Sequence, residues 1–180
     1  MRFVFIIALT FILSGCVAKS SKFVFPSQPV NALAQTNVQI GVKEIEIPNY
    51  LNSDKIIVKN GAQIKQIDAK FADVPNKMLT QKAIEGFKSA LNDPNVFIYP
   101  WDIKSKKGYI VEIKLDKFLY ENQEAVIAGS YYLKNASGTT IVAKNFRKSM
   151  PCAKDANSIV TKLSTLFSNL VVEIAEKIAR

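Results

Sequence analysis

The chain has no histidine and, in 180 residues, only two cysteines, Cys16 and Cys152. A serine or cysteine triad needs an imidazole to move its proton, and zinc sites draw on several His or Cys ligands, so neither can be assembled. Arginine is scarce, limited to Arg2, Arg147 and Arg180 among 24 basic residues. Nucleic-acid readers favour the flat, forked guanidinium for phosphate and guanine contacts, so a lysine-dominated chain is a poor nucleic-acid binder. The seven glycines are isolated. No Gly-x-x-x-x-Gly-Lys loop occurs that could cradle a nucleotide phosphate. What is present is an ordinary folding composition, 48% hydrophobic and 22% charged, with a net charge of +9. That length and composition fit one domain with a real core.

The N-terminus reads as an address. Arg2 precedes an apolar run from Phe3 to Ile12, followed by Leu13-Ser14-Gly15-Cys16. A charged start, an apolar stretch and small residues make a signal peptide, and the stretch is short of the roughly 20 residues of a membrane span. Leu13-Ser14-Gly15-Cys16 resembles the bacterial lipoprotein box. In that box the cysteine sulfur is acylated, the preceding peptide is removed and the new amino terminus is acylated with a chain of the palmitate class. Residues 1–15 are thus the signal peptide and Cys16 the lipidation site, and more than one acyl chain gives lasting anchorage. Val17 stands where an aspartate would signal inner-membrane retention, which favours the outer membrane. That sorting rule varies among bacteria, so inner-membrane retention stays open. With the Cys16 sulfur taken by lipid, Cys152 has no intramolecular partner and reads as a small buried hydrophobe. Residues 16–35, with Pro26, Pro29 and small polar residues around Phe23-Val24-Phe25, read as a lipidated tether holding one short strand. Residues 36–180 then form a single domain.

Within that domain the elements follow from periodicity and turn chemistry. Val38, Ile40 and Val42 alternate, then the phase slips to Ile45 and Ile47, predicting a strand with a bulge or bend. Glu44 and Glu46 fall on its wet face, where a solvent-facing row explains them better than an acid/base pair. Asn60-Gly61 joins two strands in a tight hairpin. Pro75 opens a helix running to about Asn92, weakened by Gly86. A short strand follows at Val96–Tyr99. Tyr109 to Leu115 alternates cleanly, and Ala125–Lys134 and Thr139–Lys148 continue an antiparallel meander. Lys104, Lys106 and Lys107 read as a solvated loop before it. The chain closes with its strongest helix, capped by Asp155 or Asn157. Its apolar positions from Ile159 to Ile178 recur at helical spacing and should mostly cover a sheet, the alternative being that some of the arc is left over for a partner or a sister subunit. Glu173 and Lys177 are placed to pair on its outer side.

The order of landmarks carries a family resemblance. A lipobox, Ile47-Pro48-Asn49-Tyr50-Leu51, Asp54-Lys55-Ile56-Ile57-Val58, Phe71-Ala72-Asp73-Val74-Pro75 opening a helix, Phe118 ending a strand and a closing amphipathic helix together resemble the PqiC-type auxiliary lipoproteins of ABC transporters. Phe71 stands where many relatives carry tryptophan. The resemblance implies an α/β fold similar to the N-terminal domain of TolB: a mixed, largely antiparallel sheet with two main helices packed on it. It also implies a non-catalytic component of a lipid-trafficking system, without cofactor or metal, anchored in the outer membrane and facing the periplasm. Its partner would be the MCE-domain substrate-binding protein. Tyr50, Leu51 and Trp101, aromatic or apolar residues beside prolines, are the candidate contact anchors. Two other classes share the anchor and size: an outer-membrane assembly lipoprotein of the lipopolysaccharide-transport plug type, and a peptidoglycan-synthase activator. An enzyme is the least supported, since no positioned base, nucleophile or metal cluster emerges.

Overall fold

A computed structural model describes residues 21–28, 30–33, 35–92, 95–100 and 108–180. Ten elements follow in order: β1 (Lys22–Phe23), β2 (Gln39–Lys43), β3 (Lys55–Asn60), β4 (Gln63–Phe71), α1 (Pro75–Leu91), β5 (Val96–Tyr99), β6 (Gly108–Glu121), β7 (Glu124–Asn135), β8 (Thr140–Pro151) and α2 (Ala156–Ile178). The fold is mixed α/β, an eight-stranded sheet with both helices packed on it. Strand β6 is its spine. One edge of β6 pairs with β7 along almost its whole length, and β7 pairs in turn with β8, both antiparallel. The other edge of β6 is divided. Its first half runs parallel to β2, which carries β5 outside it, and its last residues run parallel to β3, which carries β4 and β1.

Local chemistry sets these elements. Gly61 takes φ +56° in the β3–β4 turn, a conformation open to it for want of a Cβ. Pro75 occupies the first turn of α1, and Asn92 closes the helix in the left-handed conformation, its N–H donating to the carbonyls of Lys88 and Ser89. Asp155 caps α2 by accepting from the Ser158 N–H at 2.8 Å. Hydrogen bonding to Ser158, first its side chain and then its N–H, holds the Asp155 carboxyl below the usual range. The β6 alternation breaks once, at Asp116, where the pairing with β7 shifts register. Opposite the break, Gly129 sits so close to β6 that a Cβ on it would lie 1.9 Å from the Lys114 carbonyl oxygen.

The core lies between the sheet and the two helices. Leu79, Ala83 and Phe87 of α1 meet Leu163, Phe167 and Leu170 of α2 within one buried cluster. Gly86, expected only to weaken α1, is where α2 comes closest: a Cβ there would stand 2.8 Å from Val171 Cγ1. The apolar positions of α2 from Ile159 to Ile178 are buried, as expected of an arc that covers the sheet, and none of them is left over for a sister subunit. By length and composition α2 could cross a membrane, but it is mostly buried as a core helix. Glu173 does not turn to Lys177. It reaches β8, where Lys144 and Lys148 each lie 2.7 Å from its carboxylate.

The segment expected to be a tether belongs to the fold. Strand β1 adds to the edge of β4, and Phe25 packs tilted on Phe71 and edge-on to Phe118, with centroids 5.5 and 5.6 Å apart. The Pro26 carbonyl accepts from Lys82 Nζ at 2.9 Å and Ser164 Oγ at 3.2 Å, one from each helix. Further on, Leu33 and Thr36 N–H groups donate to the carbonyls of Ala90 and Leu91. From Ser21 onward the chain is a strap across both helices.

Candidate interaction surface

The carboxylates that could have done chemistry are occupied. Glu112 stands between Lys43 at 2.5 Å and Lys134 at 2.6 Å. Burial opposes its ionisation, yet the two ammonium groups hold its carboxyl below the ordinary value. Glu121 is held likewise by Lys117 at 2.6 Å and Lys59 at 3.2 Å, and Lys117 is the main cause of its lowered value. Such carboxylates are weak bases at neutral pH. Glu44 and Glu46 take separate partners: Glu44 accepts from Asn76 Nδ2 at 2.6 Å and Glu46 pairs with Lys114 at 2.8 Å. They share no proton-transfer site. Cys152 is half-buried, and burial pushes its thiol up, away from a reactive thiolate. Among the described residues no group of three or more His, Cys, Asp or Glu could hold a metal ion.

What the surface offers instead is apolar. Strand β5 pairs only with β2 among the described strands, on its inner side. Its central residues, Phe97 and Ile98, are 44% and 55% exposed. Val96 and Ile98 follow the core-facing Ile40 and Val42 in register, while Phe97 faces the other way beside Gly41. Both faces of this edge therefore show hydrocarbon. Between β5 and α1 runs a groove of about 550 Å³, with Ile84, Val96, Phe97 and Ile98 along it and Lys77 and Lys88 at its rim. Lys88 Nζ lies 5.9 Å from the centre of the Phe97 ring. A second, polar depression of about 440 Å³, holding Glu46, Asn52 and Asn76, meets the first at Glu44.

The sequence-derived anchors fare differently. Tyr50 is exposed in the turn after Pro48, and its hydroxyl donates to the Asp116 carbonyl at 3.3 Å, at the β6 break. Leu51, one residue on, is 1% exposed in the core, which removes it as a contact anchor. The Pro48 turn that lifts Tyr50 outward turns Leu51 inward, with the Leu51 N–H donating to the Pro48 carbonyl at 2.8 Å. Trp101 and Cys16 lie outside the described residues, as do Lys104, Lys106 and Lys107. Sequence reasoning read β5 as a strand and missed it as a surface. The available signal was four residues, Val96–Tyr99, without a charge in what proves to be an edge strand.

Comparison with known proteins agrees on the fold. A crystal structure of an uncharacterized protein superposes with a TM-score of 0.72 at 17% identity, covering 88% of this chain and 98% of that one. The crystal structure of protein XCC0632 from Xanthomonas campestris gives 0.68 at 14% identity, covering 89% and 92%. Both likenesses are of fold alone. No curated protein matches at significance. The sequence profile of the ABC-type transport auxiliary lipoprotein components spans residues 23–175, from β1 into the last turn of α2. The match takes in all but the ends of the strap, sheet and helices, and the chain belongs to this family of PqiC-type auxiliary lipoproteins of the cell envelope.

Proposed function

We propose that this protein is a non-catalytic lipoprotein of an ABC/MCE-type lipid transport system. It is anchored in the outer membrane through Cys16 and docks the periplasmic MCE-domain component with the β5 edge. The observation that carries this reading is the family match over residues 23–175 in a chain that also carries Leu13-Ser14-Gly15-Cys16. The exposed pair Phe97–Ile98, beside Lys77 and Lys88, supports β5 as the contact. A bare apolar edge is a template for a partner strand or an apolar anchor, and a cationic rim favours an acidic border on that partner. Tyr50 remains a contact candidate beyond the polar depression. The test is crosslinking of a tagged full-length chain in living cells, with mass spectrometry of what co-purifies, for wild type, Cys16→Ala and Phe97→Asp. Recovery of an MCE-domain protein or its permease, reduced by either substitution, is the expected result. Recovery of a lipopolysaccharide barrel or a peptidoglycan synthase, with no MCE protein, overturns it.

A further inference from the structure

We infer that the domain rests directly on an anionic phospholipid surface, through a row of lysines at the root of its lipid anchor. The inference rests on the reading of Cys16 as the lipidated residue. Because the strap is part of the fold, the chain between anchor and domain is Val17 to Ser20. Five Cα steps from Cys16 to Ser21 span at most ~18 Å fully extended. A domain of this size is roughly 40 Å across. The linker is therefore less than half a domain width, of the order of the Debye length of about 10 Å at physiological salt, and charges near Ser21 feel the bilayer.

Those charges are arranged for it. Lys22 of β1 is the cross-strand partner of Lys70 in β4, and Lys70 is the partner of Lys55 in β3. The adjacent pair, Phe23 and Phe71, packs into the core, so Lys22 and Lys70 project from the opposite side. Like charges directly opposite one another destabilise a sheet. One carboxylate offsets this row: Asp54, 3.0 Å from Lys70, whose hydrogen bond with Lys70 is the main reason the Asp54 carboxyl is lowered. Among the described residues Lys22 forms no salt bridge, and Lys55 acts on Asp54 through space without forming one. Val24, just past β1, is 65% exposed. A lysine row repelling itself beside an exposed valine, within linker reach of a bilayer, suits anionic headgroups with the valine at their level.

The experiment uses the full-length lipoprotein, its acylation checked by mass, in liposomes with and without phosphatidylglycerol. In a Cys152→Ser background, Val24→Cys or Ile141→Cys carries an environment-sensitive fluorophore, and the bilayer carries a headgroup quencher. Ile141 lies on β8, at the far end of the sheet. Quenching at position 24 should exceed that at 141 several-fold. A Gly/Ser spacer of about twenty residues after Ala18, spanning roughly 25 Å, should leave quenching at 24 only in anionic liposomes. Lys22→Gln with Lys55→Gln, which spares the Asp54–Lys70 pair, should abolish that remainder. Equal quenching at 24 and 141 in acylated protein overturns the inference and leaves the transport reading intact. Anion-independent behaviour of the spacer protein overturns the lysine row as its cause. A mass without acyl chains overturns both the inference and the anchor it rests on.

Discussion

Two of the three outer strands of the sheet, β5 and β8, are built on opposite principles. Strand β8 is long, and its residues facing away from α2 include Asn145, Arg147 and Ser149. On the side toward α2 it holds Lys144 and Lys148, pinned by Glu173. Polar and charged side chains, with Pro151 at its end, are the usual guards against a stray strand. Strand β5 is short, uncharged and exposed on both faces. On the proposed function, the bare edge is the one left for a partner.

That contrast can be broken in four ways. The largest effect is on the frame that separates the edges. Gly129→Ala would press a Cβ against the Lys114 backbone. Because β6 and β7 would have to part there, we expect a loss of about 3 kcal/mol or more in urea unfolding, with both edges lost together. Next is Phe97→Asp, an exposed change that should lower the affinity for the partner by about 2 kcal/mol, roughly thirtyfold, at nearly unchanged folding stability. Equal partner recovery with this variant would remove β5 as the contact.

Third, Glu173→Gln should cost about 1 kcal/mol or less at neutral pH, because its lysine partners are partly solvated. Hydrogen bonds from Lys144 and then Lys148 hold the Glu173 carboxyl below its ordinary value of 4.5. Its contribution is thus complete above pH 4.5 and is lost as pH falls through the folded-state value. Urea unfolding from neutral to acid pH should therefore show a shallower acid slope for the glutamine variant. The smallest effect is Ile141→Lys. This residue of β8 is 53% exposed, and adding a charge to an edge already guarded should change stability by under about 0.5 kcal/mol and leave partner capture untouched.

Much of this frame was legible in the sequence where the cause is local. Asn60-Gly61, Pro75 with Asn92, Asp155 and the Tyr109–Leu115 alternation each announce their element within a few residues. What was not legible depends on distant partners. The parallel pairing of β2 with both β5 and β6 joins segments far apart in sequence and leaves no local mark. Phe23-Val24-Phe25 reads as a short strand, but nothing local marks the packing of Phe25 on Phe71 and Phe118. Gly86 looks like a weakness until Val171 is seen against it. Of the anchors read from the sequence, Tyr50 is exposed and Leu51 is buried, since a tight turn sends neighbouring side chains opposite ways. The bare edge needed the topology, because a run of apolar residues reads alike in a sheet centre and at its rim.

The strap also decides how the domain meets a pull. Tension between membrane and partner would enter at Ser21 and load the short parallel β1–β4 ladder along the strands, in shear, before reaching the Pro26 clasp between the helices. None of these contacts belongs to the β6–β7–β8 meander. Under load, Ser21 to Val38 would pay out first, adding ~60 Å of chain at about 3.4 Å per residue while most of the sheet stays closed. On the proposed anchorage through Cys16, the segment that holds the domain near the bilayer is also its reserve of slack.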